Sequence, residues 1–241
     1  MEVAKNQCYG MFPQILGLYE YEKKEEFKKE VLKLIEHYKG SKEEYVEHEN
    51  GLTHYFNFAN SKIFETEVVD LKPFYNFLMD SVNDYSEECL YRVEDCKGYV
   101  ITDCWINVGS QNSYQQPHNH ANSFFSGTYY VSFNSKYHSR LTFRNPHNFA
   151  NSQSQPYLVL QKRDKYNSPN NDFYVCDIYD EGDLLIWQSG LHHAYSPCLG
   201  SGDDEGETEN DKGYHGRISI SMNFVPKYLS QGPYSLVVSN G

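Results

Sequence analysis

The stretch Gly216-Arg217-Ile218-Ser219-Ile220-Ser221-Met222-Asn223-Phe224 alternates at every position from Arg217 onward. Successive side chains of an extended chain point to opposite faces, so Arg217, Ser219, Ser221 and Asn223 share one face and Ile218, Ile220, Met222 and Phe224 the other. The apolar face belongs against a core. In a half-exposed sheet the polar face would meet water, whereas in a jelly roll it lines the cavity and can present Arg217 to a carboxylate.

Working outward from this strand, the chain after Gly98 consists of short runs rich in β-branched and aromatic residues, broken by Asn, Ser, Gly and Pro clusters. These runs predict seven further strands near Tyr99 to Val108, Gly127 to Phe133, Arg140 to Phe143, Tyr157 to Gln161, Phe173 to Ile178, Asp183 to Trp187 and His193 to Ser196. Eight short strands in succession imply a mainly β, eight-stranded jelly roll. The stretches from Asn145 to Pro156 and from Leu199 to Gly213 then read as loops.

The first third has a different texture. Phe27, Val31, Leu34, Ile35 and Tyr38 recur at helical spacing among Lys and Glu, which predicts a helix from Lys24 to Tyr38 with one apolar face. Pro73 suits a first helical turn, and Phe74, Phe77, Leu78 and Val82 then share a face up to about Tyr85. The expected organisation is one compact unit: an N-terminal helical extension over 1–98, packed on a β core over 99–241.

Composition narrows the function. The formal net charge of -12 argues against nucleic acid, whose affinity comes mainly from Lys and Arg neutralising phosphates. The acidic run Asp203, Asp204, Glu205, Glu207, Glu209 and Asp211 reads as a solvated loop; with Gly202, Gly206 and Gly213 it is also the candidate for a lid. Six cysteines without a CxxC pair, and no leader-like start, fit a reduced, cytoplasmic protein. No apolar stretch approaches the roughly 20 residues needed to cross a bilayer.

The segment Gln115-Gln116-Pro117-His118-Asn119-His120 places two imidazoles two positions apart, on the same side of an extended chain. Imidazole suits Fe, Zn, Cu or Ni, so His118 and His120 are candidate ligands of one ion, although a pair of loop histidines explains the motif equally well. A third ligand is offered after the apolar run ending at Trp187. His193 is preferred to His192 because it opens the next strand, where alternation with Tyr195 aims it inward. Tyr114, Phe124 and Trp187 are aromatic candidates for substrate contact, with core packing as the plainer explanation.

Taken in order, Trp105-Ile106-Asn107, Gln-x-Pro-His-x-His, Ser126-Gly127-Thr128-Tyr129-Tyr130-Val131, Leu141-Thr142-Phe143, a His shortly before Pro197, and Arg217 to Phe224 resemble a family of 2-oxoglutarate/Fe(II) oxygenases known mainly from marine bacteria and cyanophages. The resemblance covers about residues 99 to 225. It implies a double-stranded β-helix with N-terminal helices packed outside, Fe(II) held by His118 and His193, and 2-oxoglutarate held by Arg217 with Ser219. Asn107 is a further candidate for the same pocket. His120 occupies the place where the commonest oxygenase pattern has a carboxylate.

The activity so implied is oxidation of a substrate by O2, coupled to decarboxylation of 2-oxoglutarate to succinate, in the cytoplasm of a cell or of a phage's host. Two alternatives are a three-histidine dioxygenase that does not use 2-oxoglutarate, and a non-enzymatic jelly-roll module. A homodimer formed through the helix near Phe27 is a further expectation, as is burial of that helix face within one chain.

Overall fold

The computed structural model describes residues 14–45, 52–59, 62–91, 93–109, 113–146, 171–197, 216–231 and 234–237. The expected strand near Tyr157 to Gln161 and the acidic loop after Leu199 lie outside these residues.

Two antiparallel sheets form the core. The larger contains β1 (Leu16–Glu20), β2 (Glu44–Tyr45), β3 (Leu52–Ala59), β4 (Tyr99–Gly109), β6 (Phe125–Ser132), β9 (Asp183–Gln188) and β11 (Arg217–Pro226), in the order β1-β9-β6-β11-β4-β3-β2. The smaller contains β5 (Gln115–His118), β7 (Thr142–Arg144), β8 (Phe173–Val175) and β10 (His193–Tyr195), in the order β5-β10-β7-β8. Strands β4 to β11 thus divide equally between the sheets, as β9-β6-β11-β4 in one and β5-β10-β7-β8 in the other. This is a double-stranded β-helix. A separate hairpin, β12 (Tyr228–Gln231) and β13 (Tyr234–Val237), follows it.

Both faces of the large sheet are covered, which is why β6 is buried at every position. Its outward face carries Phe125, Tyr129, Leu184, Ile186, Ile218, Ile220, Met222 and Phe224 in a single cluster with the helices. Helix α1 (Lys24–Tyr38) buries Phe27, Val31, Leu34 and Ile35 there, and α2 (Lys72–Glu88) buries Phe74, Leu78, Val82 and Tyr85. Neither helix has a side-chain cap, so burial of these residues, worth about 1.5–3 kcal/mol each, dominates their stability. Phe27 stacks on Phe74 with ring centroids 3.8 Å apart and meets Tyr129 edge-on. The apolar face of α1 is therefore buried within one chain, as one of the two expectations for it had it.

The inward face differs by position. Tyr130, Leu185 and Trp187 pack with Leu141, Phe143, Cys176 and Tyr179 in a second apolar cluster between the sheets. Beside it Trp105, Asn107, Thr128, Arg217, Ser219 and Ser221 line a cavity. The polar face of β11 is thus interior, as its alternation predicted.

The N-terminal region is less helical than expected. Strands β1, β2 and β3 all join the large sheet, with Leu16 opposite Trp187 and Phe56 opposite Ile106. Helix α3 (Val93–Cys96) is a single turn. Cys89, Cys96, Cys104 and Cys176 are free thiols, and no helix among the described residues is long and apolar enough to cross a membrane.

Candidate metal centre

Antiparallel pairing of β5 with β10 sets His193 directly opposite His118. The turn after β5 then returns His120 to the same point, where its backbone N–H donates to Ser189 O at 3.0 Å. One potential ligand atom from each of the three imidazoles lies within 4.8 Å of the others. Centroid separations are 4.3 Å for His118 and His193, 5.1 Å for His118 and His120, and 5.2 Å for His120 and His193. His192 is outside this cluster.

Two of the rings have their tautomer fixed by the backbone. His118 Nδ1 lies 2.8 Å from Gln116 O and His193 Nδ1 lies 3.1 Å from Leu191 O. A carbonyl only accepts, so each Nδ1 carries the proton and each Nε2 keeps a free lone pair. Such an outer hydrogen bond also orients the ring and raises its basicity towards a metal.

Protonation is disfavoured where the rings converge. Burial, followed by the proximity of His118, pushes His193 down to about 3 and His120 down to about 4, with Asp103 partly opposing the shift at His120. Neutral imidazole is the form that binds metal. The shifts also set an acid dependence. Between the ordinary value of 6.5 and these lowered values the unfolded chain binds more protons than the folded one, so stability falls as pH falls through that window. Urea midpoints of metal-free protein are expected to drop between about pH 7 and about pH 4, and His193→Gln should flatten part of that slope. Equal slopes in both proteins would contradict these assignments.

The loop bearing His120 is tied to the large sheet by a chain of side chains. Ser123 Oγ donates to Ser189 Oγ at 2.8 Å, and Ser126 Oγ donates to Asn223 Oδ1 at 2.9 Å. The hydrogen of Ser126 is thereby used, so Ser189 donates to Ser126 across 2.9 Å. Asn223 Nδ2 reaches Asp103 Oδ2 at 3.4 Å, and Asn122 Nδ2 reaches the same oxygen at 3.2 Å. Both branches return to the loop after His120, at Ser123 and at Asn122.

Arg217, 4% exposed, lies on the same cavity. Its guanidinium carbon is 4.1 Å from the centroid of Tyr195, and Nη2 donates to Tyr130 Oη at 3.3 Å. Burial pushes the Tyr130 phenol well up, so its oxygen stays protonated and neutral. Among the described residues no carboxylate pairs with Arg217, and both Arg217 Nε and the buried Ser219 Oγ have no hydrogen-bond partner. An always-charged group with an unsatisfied N–H is costly in the interior unless an anion meets it.

The expected site residues His118, His120, His193, Arg217, Ser219 and Asn107 thus share one cavity, which Gln115, Thr128, Leu141, Trp187 and Tyr195 also line. Of the aromatic candidates, Trp187 is there, 4.8 Å from His193 and edge-on to it. Phe124 packs instead on Tyr91 and Phe125, in the cluster around the helices, and Tyr114 is not among the lining residues. Tyr195 lines the cavity as its alternation with His193 predicted, whereas sequence reasoning missed Gln115, although it sits within the segment that carries His118 and His120.

Residues 103–204 match the model of a family described as "Putative 2OG-Fe(II) oxygenase". The three histidines fall inside that stretch, while Arg217 and Ser219 lie beyond it. No curated protein matches the chain in sequence. Among solved structures, a prolyl-4-hydroxylase from Pseudomonas putida is 10% identical, with a TM-score of 0.50 over 88% of this chain and 92% of that one. A 2OG-Fe(II) oxygenase family oxidoreductase from Burkholderia pseudomallei is 12% identical, with a TM-score of 0.39 over 64% of this chain and 55% of that one. HygX from Streptomyces hygroscopicus, solved with nickel and 2-oxoglutarate, is 11% identical, with a TM-score of 0.45 over 88% and 83%. The chain spans about half the length of the Burkholderia protein, and at 10% identity the likeness to the Pseudomonas protein is one of fold.

Proposed function

With residues 103–204 matched to the 2OG-Fe(II) oxygenase family, we propose that this chain is an Fe(II)- and 2-oxoglutarate-dependent dioxygenase, a hydroxylase that couples decarboxylation of 2-oxoglutarate to succinate with oxidation of a substrate by O2. In this reading His118, His120 and His193 hold the iron, and Arg217 with Ser219 binds the far carboxylate of 2-oxoglutarate, with Asn107 beside them. One observation carries it. Three convergent imidazoles open onto the same cavity as a buried guanidinium whose Nε lacks a partner.

The residues fit both groups. Imidazole donors suit iron, and a dicarboxylate supplies the negative charge and the acceptors that Arg217 and Ser219 lack. When bound, Fe(II) with the 2-oxo acid supplies the oxidative chemistry. The chain's own part is to bind, orient and exclude. The Gln116 and Leu191 carbonyls hold two imidazoles in the metal-binding tautomer, Arg217 fixes the co-substrate by charge, and Trp187 and Phe143 wall His193 from water.

A specific feature favours a second reading. His120 stands where a carboxylate would complete the commonest iron triad, so the site is one negative charge short. Other dioxygenases with three histidines bind the substrate itself at iron, and in that case Arg217 would hold the substrate's carboxylate.

Anaerobic titration with Fe(II) and then 2-oxoglutarate tests the proposal. A visible charge-transfer band, and succinate once O2 is admitted, are the expected results. Iron binding with neither signal would transfer the site to the second reading. Failure to bind iron would overturn both and leave a jelly-roll module without this chemistry.

A further inference from the structure

Among the described residues, four buried side-chain atoms lack a hydrogen-bond partner: Asn83 Oδ1, Trp187 Nε1, Arg217 Nε and Ser219 Oγ. Asn83 is on α2, away from the cavity. The other three all belong to residues lining it, and all three can donate. Arg217 and Ser219 are already assigned to the co-substrate, which leaves the indole N–H of Trp187 unexplained.

An indole nitrogen donates and never accepts, and burying it without a partner costs on the order of a whole hydrogen bond. Trp187 is 1% exposed, and its ring is fixed edge-on against both Phe143 and His193. Phenylalanine would fill only part of this space but would bring no polar atom to be buried. The position of the indole indicates which end of a ligand it meets. Its centroid is 4.8 Å from that of His193, on the metal side, whereas Arg217 lies against Tyr195.

We propose that the Trp187 N–H is a third hydrogen-bond donor to the 2-oxo acid, directed to the carboxylate beside the metal while Arg217 takes the distal one. This inference rests on the 2-oxoglutarate reading above. It makes Trp187 an affinity determinant for the oxo-acid end of the ligand, a property that the Arg217 contact cannot confer.

The test uses Zn(II)-loaded protein under conditions without turnover, and compares wild type with Trp187→Phe, which keeps a ring and removes the N–H. Calorimetric Kd values are measured for Zn(II), for 2-oxoglutarate and for 2-oxobutanoate, which lacks the distal carboxylate. With Zn(II) kept saturating in each protein, the variant should weaken both oxo acids by a similar factor, on the order of 10-fold. A change of less than about twofold for the oxo acids in Zn(II)-saturated protein, or a loss confined to 2-oxoglutarate, would overturn the inference while leaving the function reading intact. If wild type binds Zn(II) but not 2-oxoglutarate, the function reading fails and takes this one with it.

A second measurement does not depend on how well Trp187→Phe folds. The chain has two tryptophans, so Trp105→Phe leaves Trp187 as the sole indole emitter. Adding 2-oxoglutarate to that Zn(II)-loaded variant should shift the emission to the red, as a newly formed hydrogen bond at the indole nitrogen requires. Saturation without a spectral change would count against the contact.

Discussion

His193→Ala is expected to lose Fe(II) binding, with an affinity more than about 100-fold below wild type, because even partners outside the ligand shell are worth about 10–100-fold. His193 is the deepest of the three imidazoles, 5% exposed, and its ring is held by Leu191 O, Trp187 and Phe143. Its neighbour His192 sits outside the cluster found among the described residues, and the His192 carbonyl accepts from Arg144 N at 2.9 Å. Competition against a chelator of known affinity measures the loss. His192→Ala is the control and should bind as wild type does; retention of stoichiometric iron by His193→Ala would remove that residue from the site.

Arg217→Met is expected to act in opposite directions on ligand and fold. Removing one partner of a buried charge contact costs about 2–5 kcal/mol, so 2-oxoglutarate should bind roughly 30- to 5,000-fold more weakly. The ligand-free protein, in contrast, should not lose stability. Methionine fills a similar space without a desolvated charge, and this offsets the lost contact with Tyr195, worth about 0.5–2 kcal/mol. Kd values and urea midpoints measured on the same preparations separate the two effects. A large fall in the ligand-free midpoint, with 2-oxoglutarate affinity retained, would mean that Arg217 is structural.

Much of this site was legible because strand alternation and histidine spacing are local properties. The Arg217 to Phe224 pattern placed four polar residues on one face, and the structure puts that face inside the core. Helix α1 was readable to its ends because five apolar residues at helical spacing stand among charges. The strands that were missed carry weaker signals. β5 is Gln115-Gln116-Pro117-His118, with no apolar residue to mark a buried face, and is held by pairing with β10. β3 runs Leu52 to Ala59 with Phe56 and Phe58 alternating onto the face that packs against the helices, yet it lies among helical segments and meets β4 only after α2 has intervened. The unsatisfied Trp187 N–H has no sequence signature at all, since the lack of an acceptor is a property of the packed interior.

Strand β1 has a consequence for how the molecule comes into being. It lies at one edge of the large sheet while β2 lies at the other, so segments that precede the rest of the sheet in sequence supply both of its borders, and its central strand, β11, follows all its other strands. Leu16 to Glu20 must wait for Asp183 to Trp187 before it has a neighbour, and β11, between β6 and β4, arrives later still. During translation β1 therefore leaves the ribosome with its backbone groups unclaimed, whereas β2 meets its partner β3 soon after it is made. Folding of this protein should be a late, slow event governed by long loop closures, and a nascent chain stalled before β11 should be a ready client for chaperones.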